Sequence, residues 1–281
     1  MLAHGETSYW QNSETLWQHA VDNTSSNHIA QNSLGNALLE QGRLDGAIEH
    51  YEKALEIRPD VAPVESNLGN ALLREGRVEE AIVHFQKALR INPAYAETYN
   101  DMGDALMKKE QARQAIGYFQ KAVQLNTHYA EAHNNLGAAF LQIGRLDEAI
   151  SQYKEAVAIK PDSAELRCNL GNALANEGDW PGAIDSYRAA VRIRPNYDKA
   201  HNNLGVGLET IGKTDEALEQ FSEAVRMNEK YAQAQYNLGR LLAQFGRQDE
   251  ARSHLTEALR LQPDYPEAKQ RLFELGASRP H

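Results

Sequence analysis

The chain has 281 residues, 24% of them charged and 42% hydrophobic, with a formal net charge of −10 at pH 7. An acidic balance without a basic stripe interleaved with aromatics argues against nucleic acid as the main partner. No apolar run approaches the roughly 18 residues of a membrane-crossing helix, and the single cysteine, Cys168, excludes an internal disulfide while leaving the compartment open, cytoplasmic or the outward part of a membrane protein.

Residues 1–8 read as a tail, native or derived from cloning. Residues 9–27 hold a half-repeat: Trp10, Trp17, Ala20 and Val21 stand where Leu44, Tyr51, Ala54 and Leu55 stand in the following unit, so a second helix is present with no first helix before it. A 34-residue period then runs through seven units, 28–61, 62–95, 96–129, 130–163, 164–197, 198–231 and 232–265. Its columns are Gly35, Gly69, Gly103, Gly137, Gly171, Gly205 and Gly239, then a small residue from Ala47 to Ala251. An aromatic follows at Tyr51, Phe85, Phe119, Tyr153, Tyr187 and Phe221, with Leu255 last, and a third column runs from Ala54 to Ala258.

Each unit predicts two antiparallel helices. In the first, Leu34, Gly35 and Leu38 fall at helical offsets, with glycine at the closest approach. In the second, the Ala-x-x-x-aromatic-x-x-Ala step puts small beside large on one stripe. Between them a Gly-Arg-Leu-Asp turn, as at Gly42–Asp45 and Gly144–Asp147, predicts a glycine stop and an acidic start. Pro59, Pro93, Pro161, Pro195 and Pro263 are expected to stop the second helix. Unit three carries Glu110 for the turn glycine and Thr127 for the proline, so its turn is expected to be longer or looser. Residues 266–281 supply one more first helix and a tail, with Leu272 in the leucine column and Phe273 in the glycine column. Its Lys269, Gln270, Arg271 and Glu274 suggest a cap with a wet outer face. The fold class expected is all-α, a right-handed α-solenoid of stacked helix-turn-helix units.

These columns resemble the tetratricopeptide repeat over residues 28–265, and the resemblance implies a binding scaffold whose concave wall is lined by the first helices. The run Tyr9–Trp17 is also similar to the stretch that joins membrane part and repeats in bacterial transmembrane, tetratricopeptide and mannosyltransferase-like proteins. A plain N-terminal cap with two packed tryptophans accounts for it as well.

On the first helices, Ser33, Asn67, Asp101, Asn135, Asn169, Asn203 and Asn237 form one polar column. Three residues later come Asn36, Asn70, Asp104, Ala138, Asn172, Val206 and Arg240, on the same face. Each amide is both donor and acceptor, so one per repeat can pair with the backbone of an extended segment whatever its side chains. The candidate peptide-binding residues are therefore Asn36, Asn67, Asn70, Asp101, Asp104, Asn135, Asn169, Asn172, Asn203 and Asn237. At Asn67, Asn135, Asn169, Asn203 and Asn237 the arrangement resembles the asparagine ladder in the repeats of O-linked N-acetylglucosamine transferases, a resemblance that does not extend to their catalytic part. The competing reading is that the amides only fix repeat stacking. Asn36 and Asn67 also match the asparagines of a chaperone-tail clamp, but Asn32, Glu97 and Asp101 stand where its basic residues would, which excludes a carboxylate ligand. Glu97, Asp101, Asp104, Glu131 and Glu165, relieved by Arg74 and Lys108, point to a segment with Lys or Arg at its centre.

Gly207–Thr214 fits the phosphate-loop pattern letter for letter, yet Gly212 is the turn glycine of unit six, so residues 207–211 are expected to be helical with their N–H groups occupied. His50, His84 and His254 share one position, expected to face outward, and no metal site is indicated. Cys168 reads as a small wall residue rather than a reactive thiol. The chain is therefore expected to be a non-catalytic, cofactor-free protein-interaction scaffold without direct membrane insertion. Two alternatives stay open: a substrate-presenting repeat domain of a larger membrane-bound glycosyltransferase-like protein, and self-association through the N-terminal face at Trp10 and Trp17.

Overall fold

A computed structural model describes residues 13–24 and 26–277. Among them are sixteen α-helices and no strand. The chain divides between Gly144 and Arg145 into two compact units. The first contains α1 (Ser13–Asn23), α2 (His28–Glu40), α3 (Leu44–Ile57), α4 (Ala62–Glu75), α5 (Val78–Ile91), α6 (Ala96–Lys108), α7 (Ala112–Leu125) and α8 (Ala130–Gln142). The second contains α9 (Leu146–Ile159), α10 (Ala164–Glu177), α11 (Trp180–Ile193), α12 (Asp198–Thr210), α13 (Thr214–Met227), α14 (Ala232–Gln244), α15 (Gln248–Leu261) and α16 (Pro266–Ala277). Within each unit every helix packs on the next, and the even-numbered helices, the first of each repeat, also touch one another to form one wall.

The glycine column exists because the aromatic of the same repeat's second helix lies flat against it. A Cβ built on Gly69 would stand 2.5 Å from Cε1 of Phe85, and one on Gly35 2.6 Å from Cε1 of Tyr51. Tyr51, Phe85, Phe119 and Phe221 are each 0% exposed, so the rings are the core. The two helices of a repeat are also joined by a pair nineteen residues apart. His50 Nδ1 donates to Gln31 Oε1 at 2.6 Å, His254 Nδ1 to Gln235 Oε1 at 2.7 Å, and His84 Nδ1 lies 2.5 Å from Glu65 Oε2. Tyr99 and Tyr118 fill the same two places with a ring contact of 6.3 Å. His50, His84 and His254 therefore do not face outward: they are half-buried against their own first helix, and burial lowers the basicity of His50 and His254.

The turns correct three further expectations. In unit three Glu110 takes φ 59°, and its turn makes the same bonds as the others: Gln111 N–H donates to Leu106 at 2.9 Å, as Arg43 N–H does to Leu38. The turn is neither longer nor looser, because the two packed helices force the left-handed residue whatever its side chain. The acidic residues do not cap the second helices. Arg43, Arg77, Arg145, Lys213 and Arg247 occupy the N-caps without a side-chain cap bond, and Asp45 and Asp147 lie inside the first turn, where they meet the helix dipole. Asp179 alone among these turns caps, accepting from Gly182 N–H at 3.0 Å. Proline is not what ends the second helix, since α7 and α13 stop at Leu125 and Met227 ahead of Thr127 and Glu229, at the same step as the others. The following residue turns away from helix geometry in each case, as at Asn126 and Asn228.

The turn arginines are exposed but paired, Arg77 with Glu80 at 2.7 Å and Arg247 with Glu250 at 2.7 Å. At the C-terminal end Lys269, Gln270 and Glu274 are exposed, yet Phe273 is 74% exposed beside them, so the outer face of α16 is not uniformly polar. At the other end Trp10 lies outside the described residues, and Trp17, half-buried in α1, lacks the full enclosure of Tyr51. Among the described residues no helix is long and apolar enough to cross a membrane.

Candidate peptide-binding wall

The helical period brings the two polar columns onto one face, and the stacking of first helices sets them against each other across repeats. In the first unit Asn67 Nδ2 donates to Asn32 Oδ1 at 3.0 Å and to Asn36 Oδ1 at 3.1 Å. Asn70 Nδ2 donates to Asp101 at 2.7 Å, and Asn135 Nδ2 donates to Asn100 and Asp104, both at 3.0 Å. In the second unit Asn203 Nδ2 donates to Asn172 Oδ1 at 2.8 Å and reaches Cys168 Sγ at 3.8 Å, while Asn237 Nδ2 donates to Asn202 Oδ1 at 2.9 Å. Asn67, Asn135, Asn203 and Asn237 thus each reach back to the repeat before. Asn237 is buried, Asn36 exposed, and Asn67, Asn70, Asp101, Asp104, Asn135, Asn169, Asn172 and Asn203 half-buried. The ladder is a set of inter-repeat bonds with part of its hydrogen-bonding capacity left at the surface.

In the first unit this wall hollows into a cavity of about 640 Å³ lined by Asn67, Asn70, Arg74, Glu97, Asp101, Asp104, Lys108, Tyr129 and Glu131, with Leu39, Leu73 and Met107. Burial, reinforced by Glu131 and Glu97, pushes Asp101 up to about 6 against the bonds from Asn70 and Asn100. Burial, with Asp101 and Glu131 beside it, pushes Asp104 up to about 7, and Lys108 opposes this only weakly. Lys108 Nζ is engaged by the Leu73 carbonyl at 3.0 Å. Glu165 is not part of this cluster: it belongs to the second unit, where it pairs with Arg194. Tyr129 went unnoticed in the sequence, although a tyrosine recurs at Tyr95, Tyr129, Tyr197, Tyr231 and Tyr265, just ahead of the first helices. Its spacing was the signal that could have found it.

The phosphate-loop look-alike is helical through Thr210. Gly212 N–H donates to Glu209 at 2.9 Å, Lys213 N–H to Leu208 at 2.9 Å, and Lys213 Nζ to Glu216 at 2.6 Å. No N–H nest is open there for a phosphate. Cys168 is 3% exposed, and burial pushes its thiol up, away from the reactive thiolate. Among the described residues no group of three His, Cys, Asp or Glu side chains is placed to hold a metal ion.

Family models described as tetratricopeptide repeat or TPR repeat match residues 26–94, 60–125, 100–164, 171–208 and 202–266. No curated protein sequence matches the chain. Among solved structures, YrrB, titled a TPR protein with an unusual peptide-binding site, is 29% identical, with a TM-score of 0.51 over 66% of this chain and 95% of that one. MamA is 30% identical, with a TM-score of 0.55 over 59% of this chain and 96% of that one. A chain of the APC/C hetero-tetramer Cut9-Hcn1 shares the fold at 18% identity, with a TM-score of 0.72 over 92% of this chain and 51% of that one. Proteins built from such repeats are scaffolds for protein and peptide partners, and five matches that together cover most of this sequence leave one conclusion: the chain belongs to the tetratricopeptide repeat family.

Proposed function

We propose that the chain is a non-catalytic interaction module that binds an extended peptide or protein segment along its first-helix wall, with a Lys or Arg of that segment seated in the acidic cavity of the first unit. The cavity carries this reading: Asp101, Asp104, Glu97 and Glu131 converge there, and among the described residues the cations lining it are Arg74 at its rim and the already engaged Lys108. A guest cation would hold both aspartates ionised and relieve a like-charge cluster that burial makes unfavourable. The peptide-binding site named for YrrB supports the class of ligand.

The direct test is calorimetric titration with a capped, unstructured Gly/Ala/Asn peptide carrying one central Lys, against the same peptide with Gln. The Lys peptide is expected to bind at least about tenfold more tightly at pH 8, a difference near 1.4 kcal/mol. Asp101→Asn together with Asp104→Asn should erase the difference. Equal affinities for both peptides would refute the cationic preference.

The inter-repeat bonds favour a second reading, in which the ladder serves stacking alone. An Asn135→Ala, Asn169→Ala, Asn203→Ala triple variant separates the two. If it unfolds at lower denaturant but, while still folded, binds the Lys peptide unchanged, the ladder is structural.

A further inference from the structure

We propose that two buried phenols, Tyr51 and Tyr187, are positioning residues that set the hydrogen-bond polarity of the wall: they hold Asn36 and Asn172 carbonyl inward and NH2 outward. A segment bound at either rung must then offer a backbone carbonyl there, not an N–H group. The consequence for a ligand rests on the groove reading above; the orientation of the amides does not.

The phenols cannot move, because their rings are the ones pressed against Gly35 and Gly171, where even a Cβ would come within 2.6 Å. Tyr51 is 0% and Tyr187 3% exposed. Tyr51 Oη donates to Asn36 Oδ1 at 2.7 Å, and Tyr187 Oη donates to Asn172 Oδ1 at 2.8 Å. The next repeat adds a second donor to each oxygen, Asn67 Nδ2 at 3.1 Å and Asn203 Nδ2 at 2.8 Å. Two donors on one carbonyl oxygen occupy both of its lone pairs. Turning either amide over would set NH2 against NH2 and strand a buried phenolic proton, an arrangement with a full desolvation penalty. Burial also raises both phenols well above the usual range, so they stay protonated donors.

What remains is the Nδ2 of Asn36 and of Asn172, for which no partner exists among the described residues. The Phe repeats behave differently. Opposite Phe85 and Phe119, which have no hydroxyl, Asn70 is oriented by Asp101 and Asp104 accepts from Asn135, so these rungs offer oxygen to the groove. In these four repeats a core Tyr accompanies a rung that offers NH2 and a core Phe one that offers oxygen, while the repeats of Tyr153 and Phe221 carry Ala138 and Val206 at this place and offer neither.

Tyr51→Phe and Tyr187→Phe remove one oxygen each and keep the ring. In the ¹⁵N-labelled full chain, Tyr51→Phe is expected to shift the Asn36 side-chain NH2 signals and speed rotation about that amide bond severalfold, leaving Asn172 unchanged; Tyr187→Phe should do the reverse. An unchanged Asn36 or Asn172 amide in its own variant overturns the proposal, as does a wild-type NH2 group showing Overhauser contacts to the tyrosine ring protons. With the Lys peptide as probe, Tyr51→Phe, whose rung Asn36 lies in the same unit as the acidic cavity, should bind about three- to tenfold more weakly, the loss of one well-oriented hydrogen bond. Wild-type-like affinity in that variant overturns the specificity role. A wild type that binds no probe refutes the groove reading instead, and the amide signals still decide the orientation. Denaturant midpoints of both variants check that neither acts through unfolding.

Discussion

Two glycines in the middle of helices, Gly69 in α4 and Gly117 in α7, should respond in opposite ways to alanine. At Gly69 the new Cβ would lie 2.5 Å from Cε1, 2.7 Å from Cδ1 and 3.1 Å from Cζ of Phe85. Carbon atoms are at ease at about 3.5–4.0 Å, so the ring would have to retreat by about 1 Å. Phe85 is 0% exposed, so the ring cannot retreat into solvent and must displace its neighbours. Overpacking of this kind costs about 1–3 kcal/mol, here toward the upper end, and the better helix propensity of alanine returns about 1 kcal/mol. Gly117 is exposed, and its Cβ would meet nothing within 4 Å. There the propensity acts alone, for a gain of about 0.5–1 kcal/mol. Gly69→Ala and Gly117→Ala should therefore differ by about 2.5–3 kcal/mol, since the propensity gain is common to both. Urea unfolding followed by circular dichroism measures this, with the earliest transition compared because stacked repeats need not unfold in one step. If Gly69→Ala proved as stable as Gly117→Ala, the ring contact would not be the reason for the glycine column.

Glu110→Gly should raise stability by about 1 kcal/mol, read from the urea midpoint, since the left-handed φ of 59° strains an L-residue and not glycine. Asp179→Ala should cost about 1 kcal/mol in the same assay because a real cap bond is lost, whereas Asp147→Ala, without one, should lose only a few tenths. Cys168 should react with a thiol reagent at pH 8 far more slowly in the folded chain than in urea, and equal rates would contradict its burial. Burial raises the pKa of Asp101 to about 6 and that of Asp104 to about 7 in the folded state, so the folded chain holds more protons than the unfolded one. Stability should fall as pH rises from about 4 to 7, with the loss absent in an Asp101→Asn, Asp104→Asn double variant. The affinity for the Lys peptide should rise over the upper part of that window.

The repeat was legible because stacking identical helix pairs demands the same residue at every closest approach. A glycine column at a step of 34 and an aromatic sixteen residues after it are local consequences of one contact, Gly35 on Tyr51 and Gly69 on Phe85, repeated. Helix ends were read less well, since the signals named for them were correlates. Proline follows most second helices, but α7 and α13 end without it, and aspartate in a turn capped a helix only at Asp179.

The site shows the same division. The sequence by itself determined which face of the first helices is polar, since an offset of three is enough to align Asn67 with Asn70, and it put Asp101, Asp104, Glu97 and Glu131 near one another. It could not decide where each amide proton goes. That depends on neighbours 31 and 35 residues away, Asn36 and Asn32 for Asn67, Asp104 and Asn100 for Asn135, and on a phenol fifteen residues off for Asn36. Nor could it show that His50 and His254 turn inward to glutamines nineteen residues back, because a helical wheel knows one helix and the pairing needs two. Periodicity along the chain determines the frame. Hydrogen-bond direction, burial and the acidity of Asp104 are properties of what packs across it, and only the tertiary structure decides those.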